Sequence, residues 1–116
     1  MDLENKSDVE ILAIADQIMD NLMEASTAID HTRHVRDFTE RLKAIVTKDY
    51  LDRVCRQYQT EKGTFGARMP IAVFRRPVSI AIVWKQHFTN SPGEYVAEMV
   101  LVQQEGRYLV DHVFVL

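Results

Sequence analysis

The chain has 116 residues, of which 47% are apolar and 27% charged, with a single cysteine and a net charge of −3. That length supplies one domain spanning residues 1–116, because a second core would need roughly another hundred residues, and the apolar fraction excludes an intrinsically disordered chain. A lone Cys55 excludes an internal disulfide; the acidic, polar start and the lack of an apolar run of about 20 residues predict a soluble, cytoplasmic protein with no export signal and no membrane span.

The charge is unevenly spread. Residues 1–30 carry eight acids and one Lys (net −7), residues 31–76 eleven bases and five acids (net +6), and residues 77–116 two bases and four acids (net −2). The acidic and basic segments are therefore expected to face each other. A competing use of the basic segment is phosphate binding through Arg33, Arg36, Arg41 and Lys43. The sequence pI near 5.8 and the scarcity of aromatics within that segment count against nucleic acid as a partner.

Ser7-Asp8-Val9-Glu10 fits a capping box and predicts a helix start. Ile11, Ala15, Ile18 and Leu22 then recur at helical spacing, while Asp16, Asp20 and Glu24 form an acidic stripe. The pattern lapses around Ser26-Thr27-Ala28-Ile29. Asp30 can cap a second helix with Val35, Phe38, Leu42 and Ile45 on one side, and Thr47 a third with Tyr50, Leu51, Val54, Cys55 and Tyr58 in a stripe. Three helices are thus expected over residues 7–61, ended by Gly63 and Gly66.

Beyond residue 68 the period falls to two and β-branched and aromatic residues become dense. Four strands are predicted over 69–75, 78–89, 94–103 and 107–116, with turns at Arg76-Pro77, Asn90-Ser91-Pro92-Gly93 and Gln104-Glu105-Gly106. Connections this short hold no crossover helix, so the strands must form an antiparallel meander over about 68–116. The fold class is α+β, with N-terminal helices packed on one face of a four-stranded sheet.

Pairing Gln86 with Glu98 and Val100 with Asp111 places Trp84, Gln86, Phe88, Glu98, Val100, Leu109, Asp111 and Val113 on one face. Val83, Lys85, His87, Tyr95, Ala97, Met99, Leu101, Val110, His112 and Phe114 then share the other. Both faces are largely apolar, whereas a meander open to water alternates apolar and charged residues. The helices cover one face, and a second copy of the chain is the economical cover for the other.

Ionisable groups within strands are the candidate chemistry, because burial is costly unless they are paired. Glu98 and Asp111 on one face would raise one carboxyl pKa, and His87 would serve as a base, making Asp111, Glu98 and His87 the candidate catalytic residues. Trp84, Tyr58 and Phe38 are the candidate lining of a ligand cavity. Cys55 is read as a small core residue. His31 and His34 read as a solvated helix start; with no third ligand nearby no metal site is expected, and no motif points to a cofactor.

The helical first half followed by Pro70-Ile71-Ala72-Val73-Phe74 and three long strands ending at Val113-Phe114-Val115-Leu116 resembles the cystatin-like or NTF2-like α+β superfamily. The resemblance spans nearly the whole chain and is architectural. It implies a curved sheet, a dimer formed through that sheet, and kinship with uncharacterised bacterial proteins as well as ketosteroid-isomerase-like and SnoaL-like enzymes. Those enzymes carry an acid/base Asp or His in a pocket between sheet and helices, but none of their motif residues matches here. The chain also lacks the strands that wall the pocket in larger members, so a shallow or collapsed pocket is expected. The reading is a non-enzymatic homodimeric binding or interaction module; the alternative is a small-molecule enzyme or binder of the isomerase kind, with a small apolar ligand.

Overall fold

A computed structural model describes residues 2–116. After a short 3-10 turn at Asp2–Asn5 come four α-helices, α1 (Asp8–Ala28), α2 (His31–His34), α3 (Glu40–Ile45) and α4 (Lys48–Lys62). The antiparallel strands β1 (Phe65–Arg75), β2 (Ile80–Phe88), β3 (Ser91–Gln104) and β4 (Arg107–Val115) follow in spatial order 1-2-3-4. No helix among the described residues is long and apolar enough to cross a membrane.

The capping box forms as expected: the Ser7 hydroxyl accepts from the Glu10 amide at 3.2 Å, and the Glu10 carboxylate accepts from the Ser7 amide at 2.9 Å. α1 does not stop at the lapse near Ser26. It runs to Ala28 and is closed by Ile29 in the left-handed region (φ 53°), whose side chain packs partly buried against the core.

The second predicted helix is two helices. The chain leaves the helical path at Val35–Thr39, where the Thr39 amide donates to the Val110 carbonyl (2.9 Å) and the Val110 amide to the Asp37 carbonyl (2.7 Å). These bonds give β4 a backbone partner on its open edge, which one continuous helix could not do. Thr39 then caps α3, its hydroxyl accepting from the Leu42 amide. Ile45, expected on the buried side, is half exposed.

The register also departs from expectation. β2 and β3 pair Val83 with Glu98, Trp84 with Ala97 and Gln86 with Tyr95. The turn is only Thr89–Asn90, so Ser91, Pro92 and Gly93 belong to β3 rather than to the loop. The offset from the expected pairing is an odd number of residues, so it moves every β3 side chain to the opposite face. Energetics select this arrangement. Burying Met99 is worth about 2 kcal/mol, whereas burying Glu98 unpaired would cost several. Ala97, Met99 and Leu101 accordingly lie fully buried against α1 with Ile80, Ile82 and Trp84.

Between β3 and β4, Val102 faces Leu109 as expected, but a bulge then sets Val100 opposite His112 and leaves Asp111 outside the ladder. Glu98 and Asp111 are therefore not neighbours. Glu98 meets His112 at 2.9 Å on the open face, while the Asp111 carboxylate accepts from Thr39 (2.9 Å) and Arg41 (3.1 Å) of the α3 region.

The acidic stripe of α1 does face basic groups of the rest of the chain. Arg68, pointing inward from β1, reaches Asp16 at 3.1 Å and Asp20 at 2.7 Å and lies over the Trp84 ring, whose indole N–H donates to Asp16 at 2.9 Å. Glu24 pairs with Arg33, and Asp8 with Arg75 at 2.6 Å. Asp16 alone serves both Arg68 and Trp84, which is fully buried. Asp16→Ala should therefore cost roughly 1–3 kcal/mol by leaving the indole N–H without an acceptor, whereas Asp20→Ala should cost under about 1 kcal/mol; urea unfolding of the two variants checks the contrast.

Candidate functional site

α4 carries Leu51, Val54, Cys55, Tyr58 and Lys62 on one face at spacings of three and four residues. That face does not close onto the sheet. Between it, Met19, Leu22, Met23 and Ser26 of α1, and Phe65, Phe88, Tyr95, Val113 and Val115 of the sheet lies a cavity of about 250 Å³. Of the shallow or collapsed pocket expected, the structure shows one that is small but not collapsed, walled by helices and sheet alone.

Its lining is mostly apolar, with polar groups in three places. In the wall, the Ser26 hydroxyl lies 2.7 Å from the Tyr58 hydroxyl and 3.1 Å from the Cys55 sulfur, and Gln59 donates to Tyr58 at 3.4 Å. Burial pushes both the Cys55 thiol and the Tyr58 phenol up, against the opposing effect of these hydrogen bonds. Cys55 is thus a protonated thiol rather than a nucleophile.

His34 lines the cavity from the end of α2, set edge-on against Phe38 with ring centroids 5.3 Å apart. Its Nδ1 is buried without a partner. Burial, and secondarily the nearby His31, hold its pKa down to about 4, so the ring is neutral at physiological pH. His31 is tied to the Val46 carbonyl at 2.8 Å. Neither histidine is the freely solvated helix start the sequence suggested.

At the opposite end Tyr58, Phe65, Phe88 and Tyr95 form an aromatic cluster with successive centroids 5.0–5.1 Å apart. Tyr95 is anchored by Ser91 at 2.7 Å, and glycine at 93 lets its ring settle, since a Cβ there would come within 3.0 Å of the phenol oxygen. The Lys62 ammonium sits over this cluster, 5.7 Å from the Phe88 centroid and 5.4 Å from that of Tyr95.

Of the residues singled out from the sequence, Tyr58 is in the cavity wall. Trp84 and Phe38 are not: both are buried in the core, Trp84 under α1 and Phe38 beside β4. Glu98 lies on the sheet face away from the helices, and His87 alternates to that same face beside Lys85. Asp111 is engaged with Arg41 and Thr39. Burial tends to raise its pKa, but those bonds and the Arg41 charge outweigh this and leave it below the ordinary carboxylate value. Among the described residues, no Asp or Glu side chain lines the cavity and no cluster of ligands suits a metal.

Sequence reasoning missed Ser26, His34 and Lys62. Ser26 continues the buried line of α1 four residues after Leu22, and Lys62 the α4 stripe four after Tyr58, so both were within reach of the helical period. His34 was not, because its burial depends on the chain break before α3. The four residues offered for phosphate have acidic partners: Arg33 with Glu24, Arg41 with Asp111, Arg36 with Asp37 at 3.5 Å and Lys43 with Glu40 at 3.4 Å.

No protein-family model matches the chain, and no curated protein does. Solved structures do. An NTF2-like protein of unknown function from Shewanella baltica superposes with a TM-score of 0.60, covering 97% of both chains at 10% identity. The chain has the NTF2-like fold. A SEC-C motif containing protein from Rhodopseudomonas palustris gives a TM-score of 0.59 over 84% of this chain and 74% of its own, at 13% identity. A DUF4783 family protein from Bacteroides uniformis gives 0.51 over 83% and 93%, at 8% identity. In this NTF2-like fold the cavity lies between α1, α4 and the concave sheet face.

The neutral His34 makes stability depend on pH. The folded chain keeps the ring unprotonated down to about pH 4, whereas the unfolded chain protonates it below 6.5. The unfolded state binds more protons in that window, so stability rises with pH from 4 to 6.5 and is lost in acid. This group accounts for a change on the order of 2–3 kcal/mol. His34→Phe should flatten that part of the profile, as read from urea midpoints at pH 7, 5.5 and 4.5.

Proposed function

We propose that the chain is a non-enzymatic binding module that holds a small, mainly apolar molecule in the cavity between α1, α4 and the sheet. The observation that carries this reading is the cavity itself: set between helices and sheet, lined by apolar and aromatic side chains, with a few convergent polar groups, as ligand sites are. Its 250 Å³ is below the roughly 300–1,000 Å³ of drug-sized sites, so the occupant is smaller than a drug. The isomerase-like alternative needs an acid or base in the lining. Glu98 and His87 face away from the cavity, Asp111 is bound to Arg41 and Thr39, the Cys55 thiol is protonated, and His34 keeps its Nδ1 sealed.

In amide spectra of the labelled protein, 1-hexanol should give saturable one-to-one shifts centred on Val54, Cys55, Tyr58 and the Val113–Val115 segment. Val54→Trp, which fills the space, should abolish them. A chain that shows no saturable response to 1-hexanol, toluene or indole does not bind through this cavity.

A second reading, homodimerisation through the sheet, is favoured by the face turned away from the helices. Met69, Phe74, Val96 and Phe114 are 58%, 53%, 41% and 46% exposed on it, around Lys85, Glu98 and His112. A contiguous apolar patch of this kind marks an association surface. Light scattering on a size-exclusion column at micromolar concentration should give twice the chain's mass, and Phe74→Glu should return it to the monomer value. A wild-type monomer under those conditions contradicts the dimer.

A further inference from the structure

We propose that the cavity's occupant is an amphipathic acid, an apolar tail inside and a carboxylate at Lys62. The inference rests on the cavity being a ligand site and adds the chemistry of the head group.

Lys62 is the last residue of α4 and one of the cavity-lining residues, with its side chain 30% exposed. Among the described lining residues its ammonium is the only Lys or Arg charge. Its charge is poorly matched within the protein. Among the described residues the one carboxylate within 4.0 Å is that of its neighbour Glu61, at 3.9 Å, beyond hydrogen-bond reach and itself more than half exposed. Other cations held against the body of the protein are better served. Arg68 has Asp16 and Asp20 at 3.1 and 2.7 Å, Arg75 has Asp8 at 2.6 Å, and Lys85 has Glu94 at 2.9 Å.

The rings of Phe88 and Tyr95 under the ammonium do more than attract it. They replace water on one side of the charge, which strengthens its field toward an anion entering from the cavity. The apolar lining meanwhile continues along α4 through Tyr58, Cys55, Val54 and Leu51. A cation in the wall of an otherwise apolar cavity selects a molecule with one anionic end. An ammonium compound would meet like charge there, and a neutral alcohol would leave the lysine uncompensated.

Calorimetric titration of the full chain with hexanoate, 1-hexanol and hexylamine separates the possibilities. Hexanoate should bind about tenfold tighter than 1-hexanol, the size of one charge-assisted hydrogen bond, and hexylamine weakest. Lys62→Gln should bring hexanoate to the level of 1-hexanol measured on the same variant, and Lys62→Arg should keep the preference. If 1-hexanol equals or exceeds hexanoate in the wild type, or if Lys62→Gln leaves the preference intact, the acid assignment is overturned while the cavity reading stands. If none of the three binds, both fall.

Discussion

The inner face of β3 is the constraint on which the rest of the molecule is built. Ala97, Met99 and Leu101 alternate with Glu98, Val100 and Val102, so whichever set faces the helices excludes the other. Burying the first set sends Glu98 outward, fixes Trp84 against Ala97 and thereby puts the Trp84 indole within reach of Asp16 on α1. With α1 tied there and again through Arg68, its later turns carry Met19, Leu22 and Ser26 over the sheet, where α4 stands off far enough to leave a cavity. One choice of strand parity thus sets helix orientation, core and cavity together.

The general layout was legible because it rests on local chemistry. Caps at Ser7, Asp30 and Thr47, the change of period near residue 68 and the short connections each act within a few residues, and they specify helices followed by an antiparallel meander. The Thr39 cap shows the limit of such reading. The helical spacing of Val35, Phe38, Leu42 and Ile45 hid the break before it, which gives the backbone of β4 its partners at Val110, far along the chain.

The candidate site was far less legible for the same reason. Pairing Gln86 with Glu98 was reasonable while Ser91-Pro92-Gly93 read as a turn; once those residues join β3, the odd shift carries Glu98 to the other face, and the separate bulge between β3 and β4 sets His112 rather than Asp111 beside it. Lys62 and Ser26 lie on helical stripes and follow from the period, but their significance appears only when the stripe fails to meet the sheet.

The bonds from Asp37 and Thr39 to Val110 reach beyond the folding of the helical half. β4 is an edge strand, and an edge offers unpaired amides and carbonyls to any passing strand. The cross-connection occupies the strand at Val110, and the Asp111 bulge kinks the ladder immediately beyond it, leaving only a short flat stretch before the last residues. The opposite edge, β1, is interrupted by Pro70, which has no amide to donate, and by irregularities on either side of it. Both borders of the sheet are thereby poor templates for ribbon-to-ribbon growth, and fibrils are not invited along its rims.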